Sequence, residues 1–315
     1  MVNAKKGKTG QKTIHKLRVS SRTLRALLKN FQFLLTEEEY QSINGPLKAY
    51  ADELSVVREL DVLHGNLKKD RIKTTKPKAI AGLQGLKRKC TEIRKQRRTR
   101  IPEITQLMIN SAAYEKLDEY ISKYYRLDQL SRVYNHPLVQ EKAQSIVELH
   151  LRKIAKAAVA MEADAPDDTL HSLRIALKNF RYTLADFSCL HPQGFQSQLE
   201  KIGMLQDRLG NIHDRQVWLA QIEEIHAVIG EDRGFESSAY QAAGFTKKLL
   251  RRKWQKNIQK NFTKVKKIWS DLQQNQFWFG FLKDVEASDS QQGCDPVSSE
   301  RKDQHLEDLP DRTPE

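Results

Sequence analysis

The chain is short of the residues that interrupt helices. Its 315 residues include 14 glycines and 9 prolines, and so few breaks predict long helices. Its three cysteines, Cys90, Cys189 and Cys294, are too few and too far apart for a disulfide framework or a C-x-x-C metal site. No apolar run approaches the roughly 18–20 residues of a membrane helix, and the mean hydropathy is −0.67. The basic opening, Met1 to Lys12, is followed by no apolar segment. That weighs against a secretory signal and predicts a cytoplasmic protein without membrane attachment. Acidic residues are also in deficit, with 40 Asp and Glu against 54 Lys and Arg and a net charge of +14. The 39% hydrophobic content excludes a wholly disordered chain and suffices for one large or two small domains.

What charge there is lies unevenly. Residues 285–315 hold nine acids and three bases, a charge of −6, which leaves +20 on residues 1–284. The tail is rich in Ser, Asp, Gln and Pro without apolar periodicity and reads as disordered. Three segments follow: a basic N-terminal stretch over 1–11, a folded body over 12–284, and the acidic tail over 285–315. A folded body with that charge repels itself, and an anionic partner is the usual reason for such a surface.

Apolar residues recur at helical spacing throughout, and period-2 alternation is nearly absent, so the expected fold is all-α. The spacing predicts helices over about 11–35, 36–69, 78–100, 103–125, 138–161, 168–188, 195–229 and 235–285. Thr36 with Glu39 has the form of a capping box. Asn44-Gly45-Pro46 is expected to interrupt the second helix, and Pro102 to break or kink the chain after the third.

An internal repeat organises the body. His15-x-Leu17-Arg18-Val19 returns 156 residues later as His171-x-Leu173-Arg174-Ile175. In the same register Arg22 meets Lys178, Arg25 meets Arg181, Leu28 meets Leu184 and Phe31 meets Phe187. The next helices match at an offset of 155, Leu54 to Val62 against Leu209 to Val217, with Asp52 on Asp207. Two related helical halves, about 12–135 and 136–284, are therefore expected.

Inside the repeat, His15, Arg18, Arg22 and Arg25 stand at i, i+3, i+7 and i+10, as do His171, Arg174, Lys178 and Arg181. At about 100° per residue each quartet spans an arc of roughly 80°. Leu173, Leu177, Phe180, Leu184 and Phe187 form a second stripe turned toward the core. Like charges stacked on one face repel by a few tenths of a kcal/mol per i,i+4 pair. No carboxylate alternates among them. A solvated face normally mixes signs, so an unrelieved stripe made twice fits a polyanion that neutralises it. The competing reading of a single stripe is a solvated basic face, and of a lone His a locally satisfied core residue.

These runs resemble the CHAD domain, the conserved histidine α-helical domain. The resemblance rests on His15-x-Leu17-Arg18-Val19-x-x-Arg22-x-Leu24-Arg25 and on Leu170-His171-x-Leu173-Arg174-Ile175-x-x-Lys178-x-x-Arg181-Tyr182. Arg58-Glu59-x-Asp61-Val62 and Leu205-Gln206-Asp207-x-Leu209-Gly210-x-x-His213-Asp214 look like the second-helix signatures of the two halves. Glu59 stands where the family usually has Asp, and Gln216 where the first half has Asp61. The resemblance implies two pseudo-symmetric four-helix bundles with a basic central groove or pore. It implies inorganic polyphosphate as ligand and polyphosphate granules, with polyphosphate-metabolising enzymes nearby, as setting. On that reading His15, Arg18, Arg22, Arg25, His171, Arg174, Lys178 and Arg181 are the main contacts, with Arg58 and His213 behind them. Polyphosphate has no bases, and arginine offers two-pronged donation to its oxygens. No cofactor or metal is called for, and binding without catalysis is expected.

Three alternatives remain. Nucleic acid, like other polyanions, would bind such a body at low salt. Single-strand binders interleave aromatics for stacking, however, and here Phe31, Phe180 and Phe187 fall on the core side, with Tyr182 the expected exception. A phosphoacceptor histidine fits His15 or His171, but Val19 and Ile175 are large where that pattern wants a small residue. A phosphohydrolase would use His213-Asp214, but no further His and Asp follow at metal-site spacing.

Overall fold

A computed structural model describes residues 10–69, 76–124, 137–159, 167–187, 196–232 and 237–278. The tail, the start of the basic N-terminal stretch and the expected turns at His136, Pro166, Pro192 and Gly234 lie outside the described residues. All regular structure among the described residues is helical. In chain order the helices are α1 (Gln11–Asn30), α2 (Glu37–Lys69), α3 (Pro77–Thr99), α4 (Ile101–Ile109), α5 (Ala112–Tyr124), α6 (Pro137–Val159), α7 (Asp167–Asp186), α8 (Gln196–Glu231) and α9 (Ser237–Gln274).

Local chemistry sets several boundaries. The capping box forms: the Glu39 amide donates to Thr36 Oγ1 at 3.2 Å, and the Thr36 amide to Glu39 Oε2 at 2.8 Å. The first helix ends at Asn30, earlier than its periodicity predicts, and a 3-10 turn over Gln32–Leu34 follows. Asn44-Gly45-Pro46 does not interrupt α2. Pro46 lies within its 33 residues, although it supplies no amide hydrogen to the Ser42 carbonyl. Ile43, Leu47, Tyr50, Ala51 and Leu54 carry one buried stripe across the proline. Their burial outweighs the roughly 3 kcal/mol that an interior proline costs. The single helix expected over 103–125 is two. At Asn110 the backbone leaves the helical region, and Ser111 Oγ returns to the Met108 carbonyl at 2.7 Å.

The helices contribute to two compact units. One draws on described residues within Met1–Arg25, Asn44–Ala113 and Met204–Trp269, the other on those within Ala26–Ile43, Tyr114–Gly203 and Ser270–Glu315. In the first unit four helices meet in one core. α2 brings Leu63 and Leu67, and α3 brings Leu86 and Cys90. α8 brings Trp218, Ile222, Ile225 and Ile229, and α9 brings Ala243, Leu250 and Trp254. Trp218 and Trp254 meet edge to face at 5.5 Å. Burial pushes the Cys90 thiol up to about 11. α3 and α9 approach closely at Gly82, where a Cβ would collide with the Ala242 carbonyl and the Thr246 hydroxyl. Thr246 Oγ1 donates to the Ala79 carbonyl at 2.9 Å.

In the second unit α6 packs along α7. Val139 and Ala143 of α6 meet Phe187, with Phe31, Phe33 and Ile146 packed against them. Asn30 ties α1 to α7: its Nδ2 donates to Asp186 Oδ2 at 2.6 Å, and Thr183 Oγ1 donates to its Oδ1 at 3.1 Å.

Candidate functional site

The quartet of the first unit lies on α1. Ile14, Leu17 and Ser21 form the buried edge of that helix, and His15, Arg18, Arg22 and Arg25 flank them, all half-buried. Arg18 Nε donates to Ser55 Oγ at 3.1 Å, and Arg25 Nε to Asn44 Oδ1 at 3.3 Å. Advancing along α1 thus means retreating along α2, so the two segments run antiparallel. Each bond engages one of five guanidinium donors and holds the plane of the group. Ser55 is itself anchored, donating to the Ala51 carbonyl at 2.9 Å. Arg58 follows one turn along α2 and is nearly buried, at 7% exposure. His213 of α8 is half-buried beside the buried Ile212.

The quartet of the second unit lies on α7. Leu173, Leu177, Phe180, Leu184 and Phe187 are buried as one stripe. Arg174, Lys178 and Arg181 are half-buried at its side, and His171 is exposed. Tyr182, expected to be the exposed aromatic, is 8% exposed and belongs to the packed interior. Within each unit, then, the structure brings four predicted side chains along one helix, at the margin of a core.

Other charged contacts are not legible in the sequence. Asp61, with a fully buried side chain, accepts from Arg94 Nε at 2.6 Å and from a terminal nitrogen of Arg98 at 2.7 Å. Two guanidinium groups share one carboxylate, and their charge compensates the burial of Asp61, although Arg98 Nε is itself buried without a partner among the described residues. One turn on, burial depresses the His64 pKa, with Arg94 and Lys68 outweighing the opposite pull of Asp61. In the second unit His150 is buried, and burial together with Lys153 and Lys29 brings its pKa down to about 4. Burial raises Asp186 to about 6 against the bond from Asn30. Only the strongly basic composition of α3 could have pointed to Arg94 and Arg98; nothing in the sequence pairs them with Asp61.

The chemistry on offer is cationic. Among the described residues no three His, Cys, Asp or Glu side chains gather as metal ligands, and no helix is long and apolar enough to cross a membrane. The arrangement can donate many hydrogen bonds and much positive charge to an anion.

A helical protein with the same cationic spacing on two helices is the class these features define. Residues 3–223 match the CHAD domain, and the chain belongs to that family. Two solved structures are similar to it. The CHAD domain from the plant Ricinus communis is 21% identical, with a TM-score of 0.59 over 83% of this chain and 84% of that one. PptA from Streptomyces chartreusis is 14% identical, with a TM-score of 0.52 over 83% of this chain and 90% of that one. At these identities the likeness establishes the fold. No curated protein matches the sequence.

Proposed function

We propose that this CHAD-family protein binds inorganic polyphosphate without turning it over. The main contacts are His15, Arg18, Arg22 and Arg25 of α1 and His171, Arg174, Lys178 and Arg181 of α7. Arg58 and His213 support them. The observation that carries the reading is the repeated row of cationic side chains, each set at the margin of a buried stripe rather than on a free face. Side chains held on one side by a core, and in Arg18 and Arg25 by a bonded Nε, present their charge with little rotamer entropy left to lose. Linear phosphate polymer offers one acceptor group after another and no bases to stack. The aromatics of α7, Phe180 and Tyr182, are correspondingly buried, and α1 has none. On this reading the protein works in the cytoplasm at polyphosphate granules, beside enzymes that make or degrade the polymer.

The test is a panel of polyphosphate, RNA, heparin and anionic vesicles at fixed ionic strength. Polyphosphate should bind most tightly and displace RNA far more readily than RNA displaces it. The double reversal Arg18→Glu with Arg174→Glu should lower affinity at least about 100-fold while circular dichroism stays unchanged, because it removes two charge-assisted bonds to phosphate and adds two repulsions. Retained affinity removes the stripes as the site. Phosphate release from long chains in the presence of Mg²⁺ or Mn²⁺ would overturn binding without turnover.

A further inference from the structure

α9 lies beyond the residues that match the family, and it carries the largest net charge of the helices among the described residues. Ten Lys and Arg stand on its 38 residues against one acid, Asp271. Its apolar side is committed: Leu250, Trp254, Val265 and Trp269 are buried. Lys247 and Arg251 are satisfied by Glu223, at 2.6 and 3.7 Å. Lys248, Arg252, Lys256, Lys260, Lys264 and Lys267 are exposed, and among the described residues none of them has an ion pair. Five of these, Lys248, Arg252, Lys256, Lys260 and Lys264, follow one another at i,i+4. At about 1.5 Å rise per residue, successive cations of that row stand roughly 6 Å apart and the six together cover roughly 28 Å. Like charges at i,i+4 destabilise a helix, so the row gains from any linear anion laid along it.

Its chemistry selects among occupants. The buried apolar side leaves nothing to insert into a membrane. Trp254 and Trp269 are buried, Phe262 lies under the Lys266 ammonium at 4.7 Å, and Tyr240, 40% exposed, is stacked on the His226 ring at 4.4 Å two turns before Lys248, so no aromatic is interleaved among the cations of the row for bases to stack on. The chain's own tail spreads a net −6 over residues 285–315, far sparser than the cations of the row. A polymer with about one charge per phosphate matches that density.

We propose that the exposed face of α9 is a second docking track for linear polyphosphate, separate from the α1 and α7 stripes. This rests on the polyphosphate reading above. A long flexible chain held at the α1 stripe, which belongs to the same unit, meets the α9 face as an intramolecular contact at high effective concentration, while a short chain occupies one place only. The protein therefore distinguishes chains by length.

The test uses the full chain carrying Lys248→Gln, Arg252→Gln, Lys256→Gln and Lys260→Gln, with circular dichroism as the folding control. Binding is measured with short chains of about ten phosphates and long chains of several hundred, over a range of salt. Long-chain affinity should fall about tenfold or more, and the slope of log K against log salt should drop by about three, as the removal of four phosphate-neutralising cations requires. Short-chain affinity should stay within about twofold of the unsubstituted protein. Unchanged long-chain binding, or equal loss at both lengths, overturns the second track. A larger loss for duplex DNA or phosphatidylserine vesicles than for long polyphosphate overturns the occupant. If the α9 variant is unaffected while the Arg18→Glu, Arg174→Glu protein fails to bind, only this inference falls. If the unsubstituted chain binds neither length, both fall.

Discussion

Asp186 and His150 oppose each other in the second unit. Burial raises the carboxyl to about 6 and lowers the imidazole to about 4, so at neutral pH the acid is ionised at a penalty and the histidine is neutral. Between about pH 4 and 6 the native state holds the Asp186 proton more tightly than the unfolded chain, so this group's contribution falls as pH rises through that window. His150 acts in the other direction, withdrawing stability as pH drops from about 6.5 to 4. Asp186→Asn keeps an acceptor for Asn30 and removes the ionisable group. It should stabilise the protein by about 1–2 kcal/mol at pH 7. The advantage should shrink as pH falls below 6 and vanish below about pH 3, where the aspartate is protonated in both states. Urea unfolding at several pH values measures it, and an advantage that grows on acidification would contradict the assignment. At this scale the basic stripes were legible because helical periodicity alone puts the side chains on one face. Asp61 with Arg94 and Arg98 was not, since the partners stand 33 and 37 residues away. Tyr182 was misplaced because its angular position lies near the basic row, while neighbouring packing covers the ring.

Helices carry signals that tertiary packing can override. The Thr36–Glu39 box was readable because both bonds lie within four residues. The continuation of α2 through Pro46 was not, because the buried residues either side of it outweigh the local defect. Gly82 looks like a weak point of α3 on propensity alone. Alanine should favour the helix there by about 0.8–1 kcal/mol. The added Cβ, however, meets backbone and hydroxyl of α9 with no flexible end to move aside. Gly82→Ala should therefore destabilise the first unit by about 1–3 kcal/mol net, lowering the thermal midpoint by several degrees. A raised midpoint would mean that α3 and α9 do not approach as described.

Over the whole chain the net charge of +14 is a sum of opposites, a body at +20 and a tail at −6. A tethered acidic segment competes with an external polyanion for the cationic surface, and salt weakens the competition. Deleting residues 286–315 should tighten polyphosphate binding about twofold to tenfold at low salt and change little near 1 M salt. Equal affinity with and without the tail at low salt would remove the competition.

By itself the sequence determined that the chain is helical, that two of its helices repeat one cationic spacing, and which family it belongs to. These follow from periodicity and short motifs, which act within a few residues. Only the tertiary structure decided that Asp61 sits between two arginines, that α2 runs unbroken through a proline, and that the free cations of α9 face solvent while its tryptophans are buried. Those outcomes depend on which helices meet, a balance of burial against desolvation and strain among residues far apart in the chain.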